Sequence, residues 1–278
     1  MNETQRIASE TFTSLHASGC FVLPNPWDAG SAVYLQHLGF KALATTSSGF
    51  AFSQGRTDTP SADALAPVLA HLRDIVQATS LPVNADFQNG YADEPEAVAA
   101  NVTLCVETGV AGLSIEDSTG DSATPLYDIQ LAIERIKAAR RAIDESGVPV
   151  VLTGRCEAWL VQDPNAFTVS IERLRAYAEA GADCLYAPGV SDPQEIAAIV
   201  KAVSPRPVNV LVSWPDPNLT LAKLTDLGVR RISVGSGLAR VAWGAFMRAA
   251  QSIATTGTFD MLGEGAAFAE LNKVFEAY

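Results

Sequence analysis

One phrase recurs along the chain: a helical stretch ends in glycine, and a short run of apolar and branched residues follows within a few positions. It occurs at Gly39 before Lys41–Thr45, at Gly109 before Gly112–Glu116, at Gly181 before Cys184–Tyr186 and at Gly228 before Arg231–Val234. Four more short runs, Cys20–Leu23, Pro82–Asp86, Pro149–Thr153 and Pro207–Leu211, complete a set of eight. Helical patterns separate them. Gly30 to Leu38 follows the first run, and Leu65, Val68, Leu69 and Leu72 mark an apolar face after the second. Then come Glu94–Thr108, Pro125–Glu145, Pro164–Ala180, a helix begun by Ser191 with Gln194 three residues on, Leu219–Leu227 and Leu238–Ile253. Short strands alternating with longer helices predict a parallel sheet covered by helices. Eight such units favour closure as a barrel, and no glycine fingerprint of a dinucleotide site follows the first strand.

The predicted fold class is therefore α/β, a (β/α)8 TIM barrel formed by residues 1–278 as one domain. A chain of 278 residues, 48% of them hydrophobic, supplies the core for it. An extra amphipathic helix, Thr4–Ala17, precedes the first strand. Thr46–Asp58 reads as a long polar loop, and Thr59-Pro60 as the capped start of the next helix. Phe259–Phe275 forms one more helix beyond the eighth unit. Its Leu262, Phe268, Leu271, Val274 and Phe275 need cover, from the underside of the barrel or from another subunit.

A net charge of -12 argues against a nucleic-acid surface. No run approaches about 18 apolar residues, which argues against a membrane span. The first residues lack a basic start and apolar run of the signal-peptide kind. The cysteines at 20, 105, 156 and 184 have no metal-like spacing, and a reduced cytoplasmic protein is expected.

Polar groups at successive strand ends of a parallel barrel converge on one mouth. Asp86, Glu116 and Glu157 fall at or just past the ends of strands three, four and five. Hard oxygen ligands of this kind suit Mg²⁺, which keeps several waters and uses few carboxylates. A helix cap or an arginine pairing accounts for such carboxylates equally well. Arg155 can grip a substrate carboxylate or carbonyl with its fork of donors, or pair with Glu157 or Glu116. Thr46, Ser47, Ser48 and Gly49 form a hydroxyl-rich turn able to hold an anionic oxygen, or an ordinary polar loop. Trp27, Trp159 and Trp214 lie in βα loops, as pocket walls or as packing at the rim. His16, His37 and His71 fall on helices, away from strand ends. No Gly-x-Ser-x-Gly elbow is present.

The ordered set Asn84-Ala-Asp86, Gly90-Tyr91, Ser114-Ile-Glu-Asp117 and Thr153-Gly-Arg155 resembles the isocitrate lyase/phosphoenolpyruvate mutase superfamily. Pro24-Asn25, Trp27-Asp-Ala-Gly30, the Ser48-Gly49 turn and Gly55-Arg-Thr-Asp58 extend that resemblance to most of the chain. The resemblance implies a modified barrel whose extended C-terminal helical segment, within residues 236–278, is exchanged between subunits of a homodimer or homotetramer. It also implies a small 2-oxo carboxylate substrate, handled as a pyruvate-type enolate over Mg²⁺ or Mn²⁺. By the same resemblance Asp86 and Glu116 are metal-shell carboxylates. Asn84 stands where many members carry the most direct aspartate ligand. Ser48, Gly49 and Phe50 receive the substrate, with Trp27 beside them. Arg155 clamps the substrate, and Asp58 approaches it from a loop.

The isocitrate and methylisocitrate lyases carry a Lys-Lys-Cys-Gly-His-like loop after strand four. Here Ser118–Tyr127 holds no cysteine, histidine or lysine, so the proton donor of that cleavage is missing. The chain is similar to the phosphonomutase-like branch. Two functions follow: a Mg²⁺-dependent lyase or mutase acting on a C–C or P–C bond, or a non-catalytic 2-oxo acid binding protein that keeps the pocket. The loop 118–127 is expected either to close as a lid over ligand or to be a short exposed loop fixed by its serine, threonine and aspartate caps.

Overall fold

The computed structural model describes residues 3–59 and 62–276. It is the α/β barrel predicted above. Eight parallel strands run in the order β1-β8-β7-β6-β5-β4-β3-β2. They are β1 Phe21–Leu23, β2 Leu43–Ala44, β3 Val83–Asp86, β4 Gly112–Glu116, β5 Val151–Arg155, β6 Cys184–Tyr186, β7 Val208–Leu211 and β8 Arg231–Ser233. The Ala44 N–H donates to the Pro24 carbonyl at 3.0 Å, bridging the remaining seam between β1 and β2. The helices are α1 Glu3–Ala17, α2 Ala29–His37, α3 Ser47–Ser53, α4 Leu65–Gln77, α5 Pro95–Val106 and α6 Ile129–Ser146, followed by α7 Ala166–Glu179, α8 Pro193–Val203, α9 Leu221–Asp226, α10 Gly237–Thr256 and α11 Phe268–Phe275.

The strands alternate in direction of burial, as period-two geometry requires. Outward residues such as Ala85, Leu113, Leu152 and Leu185 join the helices in the main core. Inward residues Leu23, Ala44, Val151 and Cys184 surround Phe12 of α1, which is fully buried. The N-terminal helix is thus the plug of the barrel floor, and the mouth is left open at the other end. Turns from helix back to strand need left-handed backbone, which glycine adopts without a Cβ clash. Gly109 and Gly181, two of the glycines that set the cadence, have φ of +96° and +106°.

Four local expectations are corrected. The polar stretch after β2 contains α3, because the Thr46 hydroxyl accepts from the Gly49 N–H and caps a helix. The cap of α8 is Asp192 rather than Ser191, with Oδ1 accepting from the Gln194 and Glu195 N–H groups. Strand β5 extends to Arg155, so that residue ends the strand instead of following it. The segment 259–275 is two elements, a 3₁₀ turn Asp260–Glu264 and α11, separated by a break at Gly265. The proposed start at Thr59-Pro60 falls partly on Pro60, outside the described residues; α4 begins at Leu65 with no side-chain cap from Ala64.

Helix α10 runs past the barrel. Ala239 is its only buried residue among those described, and Val241, Phe246 and Met247 are all exposed. Helix α11 instead turns back and packs against α2. No helix among the described residues is long and apolar enough to cross a membrane.

Candidate functional site at the strand ends

Strands β3, β4 and β5 bring the predicted carboxylates and Arg155 together. Glu116 and Arg155 are register partners on β4 and β5. Arg155 Nη1 lies 3.1 Å from Asp86 Oδ1 and 3.1 Å from Glu116 Oε2, while its Nε donates to Glu157 Oε1. Nη2 has no hydrogen-bond partner among the described residues. Asp86 is fixed further by the Ser47 N–H, which donates to its Oδ2 at 2.8 Å, and by its own N–H donating to Thr45 Oγ1. Behind this group, Asp117 accepts from the Glu157 N–H, the Tyr177 hydroxyl and Arg173.

Electrostatics follow from that crowding. Burial raises the Glu116 carboxyl well above its ordinary range; Arg155 opposes this, and Glu157 and Asp86 add to it. Glu157 is raised for the same leading reason, burial. Burial alone would lower Arg155, but Glu116, Glu157 and Asp86 outweigh it and hold the guanidinium firmly charged. Asp58 is exposed as a residue, but local desolvation of its carboxyl and then Asp86 raise it, and its Oδ1 accepts from Gln88 Nε2 at 3.0 Å.

A cavity of about 180 Å³ opens beside this cluster. Ser47, Ser48, Asp58, Asn84, Asp86 and Arg155 line it. Glu116 does not; it stands behind Arg155. The other three predicted substrate contacts do not line it either. Phe50 stacks on His71, with ring centroids 4.0 Å apart, and its N–H serves Thr46 within α3. Gly49 is packed: a Cβ there would meet Thr46 Cγ2 at 2.6 Å and Trp27 Cβ at 3.0 Å. Trp27 and Gly49 therefore let α3 sit close to the barrel rim. The loop 118–127 also stands off the cavity, tied into a hairpin by the Ser118–Leu126 bridge and the Thr119 N–H to Pro125 carbonyl bond.

No three His, Cys, Asp or Glu residues among the described ones form a metal-ready cluster. The donor chemistry still fits a hydrated Mg²⁺. Asp86 lines the cavity, and Asn84, one inward position below it, has a buried Oδ1 without a hydrogen-bond partner. Hard oxygen donors with room for water are what Mg²⁺ prefers.

Residues given no site role from the sequence complete the lower cavity: Ser114, Asn209, Arg231 and Ser233. A signal existed, since a buried parallel strand normally reads as continuous apolar residues. Asn209 and Arg231 interrupt such runs. Arg231 donates to Asn209 Oδ1 at 2.9 Å and Thr153 Oγ1 at 3.0 Å, and its Nη1 meets His16 Nε2 at 3.3 Å. His16 Nδ1 faces the Phe12 carbonyl at 2.7 Å, so Nδ1 carries the proton and Nε2 accepts from Arg231.

Burial, and then the Arg231 charge, hold His16 down at about 3. A group depressed in the folded state contributes stability above its unfolded value, about 6.5, and loses it as pH falls toward the folded value. His16→Gln is expected to remove about 2 kcal/mol of the stability lost between about pH 7.5 and 5. Urea titrations at both pH values check this; an unchanged pH dependence refutes it.

The profile of the phosphoenolpyruvate phosphomutase family matches residues 12–254. The chain belongs to the isocitrate lyase/phosphoenolpyruvate mutase superfamily, in its phosphonomutase-like branch. It is 45% identical to a Burkholderia cenocepacia protein described as a lyase/mutase, whose crystal structure superposes with a TM-score of 0.92 over 99% of this chain and 97% of that one. An uncharacterized protein of Mycobacterium tuberculosis is 38% identical over 232 residues, 81% of this chain and 82% of the relative. The structure of oxaloacetate acetylhydrolase in complex with oxalate is 25% identical, with a TM-score of 0.83, covering 96% of this chain and 93% of that one. Membership supports a catalytic lyase or mutase in general, acting on small 2-oxo carboxylates.

Proposed function

We propose that the chain is a Mg²⁺-dependent lyase or mutase that cleaves or rearranges a C–C or P–C bond of a small 2-oxo carboxylate through a pyruvate-type enolate. The observation that carries this reading is the cavity at the strand ends, with a guanidinium held rigid by three carboxylates and one nitrogen left unengaged. Arg155 offers Nη2 to the substrate oxygen on which negative charge develops. Preorganised donors of this kind stabilise a transition state without reorganising. Ser48 adds a hydroxyl, and Asp58, raised by local desolvation and by Asp86 beside it, is suited to hold a proton near the reacting carbon. Asp86 and Asn84, with Glu116 behind them, would hold Mg²⁺ through waters. When bound, it would supply Lewis-acid stabilisation of the enolate oxygen. Ordinary isocitrate cleavage is not proposed, because residues 118–127 lack its proton donor.

The test is product analysis by NMR with Mg²⁺ and oxaloacetate, phosphonopyruvate or an alkylmalate. Turnover of one of them is expected, lost on chelation and restored by Mg²⁺ or Mn²⁺. No turnover of any, with tight oxalate binding, favours the second reading, a 2-oxo acid binding protein. Asn84 in place of a charged ligand is the observation on its side.

We also propose that residues 1–278 form one domain in a cytoplasmic homodimer or homotetramer, with segment 236–278 covered by a neighbouring copy. The exposed Val241, Phe246 and Met247 on α10 motivate it. Light scattering is expected to give an oligomer for the native chain and a smaller species for Phe246→Glu; a native monomer removes the proposal.

A further inference from the structure

Four arginines among the described residues are largely or fully buried, and their partners separate them. Arg173 pairs with Asp117. Arg155 faces three carboxylates. Arg135 donates to the backbone carbonyls of Asn89, Ala92 and Asp93, a structural role on the outside of the barrel wall. Arg231 is 2% exposed and lines the catalytic-end cavity, yet it has no carboxylate partner among the described residues. Its three acceptors are Asn209, Thr153 and His16.

None of these acceptors supplies negative charge. Asn209 is fixed in the accepting orientation, because its Nδ2 donates to Ser233 Oγ at 2.9 Å. His16 meets Arg231 with a neutral ring nitrogen. The acids that share the cavity are turned elsewhere, Asp86 to Arg155 and Ser47, and Asp58 to Gln88. A buried cation surrounded by neutral dipoles is incompletely compensated, and an anion that reaches it gains a strong charge-assisted interaction.

Spacing gives the ligand its shape. Arg231 is anchored to Thr153, which lies two residues before Arg155 on β5. Both side chains point inward, and two residues of strand span about 7 Å. One small cavity thus has an arginine at each end, Arg155 among its carboxylates near the mouth and Arg231 without one on the floor.

We infer that Arg231 is a second anion subsite, on the cavity floor, that takes the distal carboxylate of a small 2-oxo dicarboxylate whose 2-oxo acid end lies at Arg155. The inference rests on the proposed function and narrows its substrate class. A monocarboxylate leaves Arg231 without a counter-ion, and a site whose polar groups stay unpaired discriminates against such a ligand.

The experiment compares calorimetric affinities for 3,3-difluorooxaloacetate, with two carboxylates, and pyruvate, with one, in the presence of Mg²⁺. Arg231→Met is expected to weaken the dicarboxylate about ten- to hundredfold while moving pyruvate by less than about threefold. Arg231→Lys is expected to recover part of the loss. Asn209→Asp guards against a folding failure. It places a carboxylate of the same size against Arg231, and is expected to cut dicarboxylate affinity selectively without lowering the melting temperature. Parallel loss of both ligands, or no loss of either, overturns the inference. If the unaltered chain binds neither ligand, the functional reading itself has failed. If it binds both and the variants leave its preference intact, only the floor subsite falls.

Discussion

Arg155→Met is expected to abolish turnover and to destabilise the fold by about 3–5 kcal/mol at about pH 7.5, the range seen when one partner of a buried ion pair is removed. The guanidinium is the only cation bonded to Asp86, Glu116 and Glu157 together, among the described residues. Without it the three carboxylates repel one another in a buried site, and Glu116 and Glu157, already raised, are raised further. An acid whose folded value lies above its unfolded one binds its proton more tightly in the native state. Its contribution is therefore fully present below about pH 4.3 and is lost as pH rises toward the folded value. The deficit of the variant should shrink when denaturation is repeated near pH 5. Arg141→Met is the control: that arginine pairs with Glu96 on the surface, where such pairs contribute about 1 kcal/mol at most. Equal deficits at the two pH values, or a variant as stable as the control, would refute the charge-clamp account.

The features legible in the sequence were those carried by local rules. Helix-stopping glycines and short branched runs report backbone geometry directly, so eight strand–helix units and their order could be read off. Asp86, Glu116 and Arg155 were legible because a parallel barrel sends every strand end to one mouth. What stayed hidden depends on packing between distant segments. Helix α3 was concealed in a polar stretch because its cap, Thr46, and its anchors against Trp27 and His71 act through tertiary contact. Trp27 looks like a pocket residue in sequence, and the crowding at Gly49 shows it packed against α3, while Phe50, within α3, stacks on His71. The competition between a metal and an arginine for the carboxylates could not be resolved from spacing, since both chemistries use the same residues. Arg231 was the largest omission. A charge inside a strand segment was visible, but its inward direction and neutral surroundings come from the register of β7 and β8 and from α1 beneath them.

Phe12→Ala is expected to cost about 3–5 kcal/mol, a loss comparable to that at Arg155 but with a different signature. Phe12 is fully buried on α1 and fills the floor of the barrel among Leu23, Ala42, Ala44, Ala111, Val151 and Cys184. These residues are mostly small, so the ring supplies volume that the strands themselves do not. Gly112 shows how tight the fit is: a Cβ at that position would lie 2.5 Å from Phe12 Cε1. Truncation removes apolar burial and leaves a cavity that a closed barrel cannot collapse to fill. It also removes edge contacts with His16 and Phe21, whose centroids lie 4.7 and 6.2 Å away. Because no charge changes, the loss should be nearly the same at about pH 5 and 7.5, in contrast to Arg155→Met. Ile7→Ala on the same helix is the comparison. Ile7 is 53% exposed, and its truncation should fall within about 0.5 kcal/mol of the native chain. Equal small effects at both positions would mean that α1 decorates the barrel; a large effect at Phe12 alone means that the floor of the site, and with it the placement of His16 under Arg231, is built by the helix that precedes the first strand.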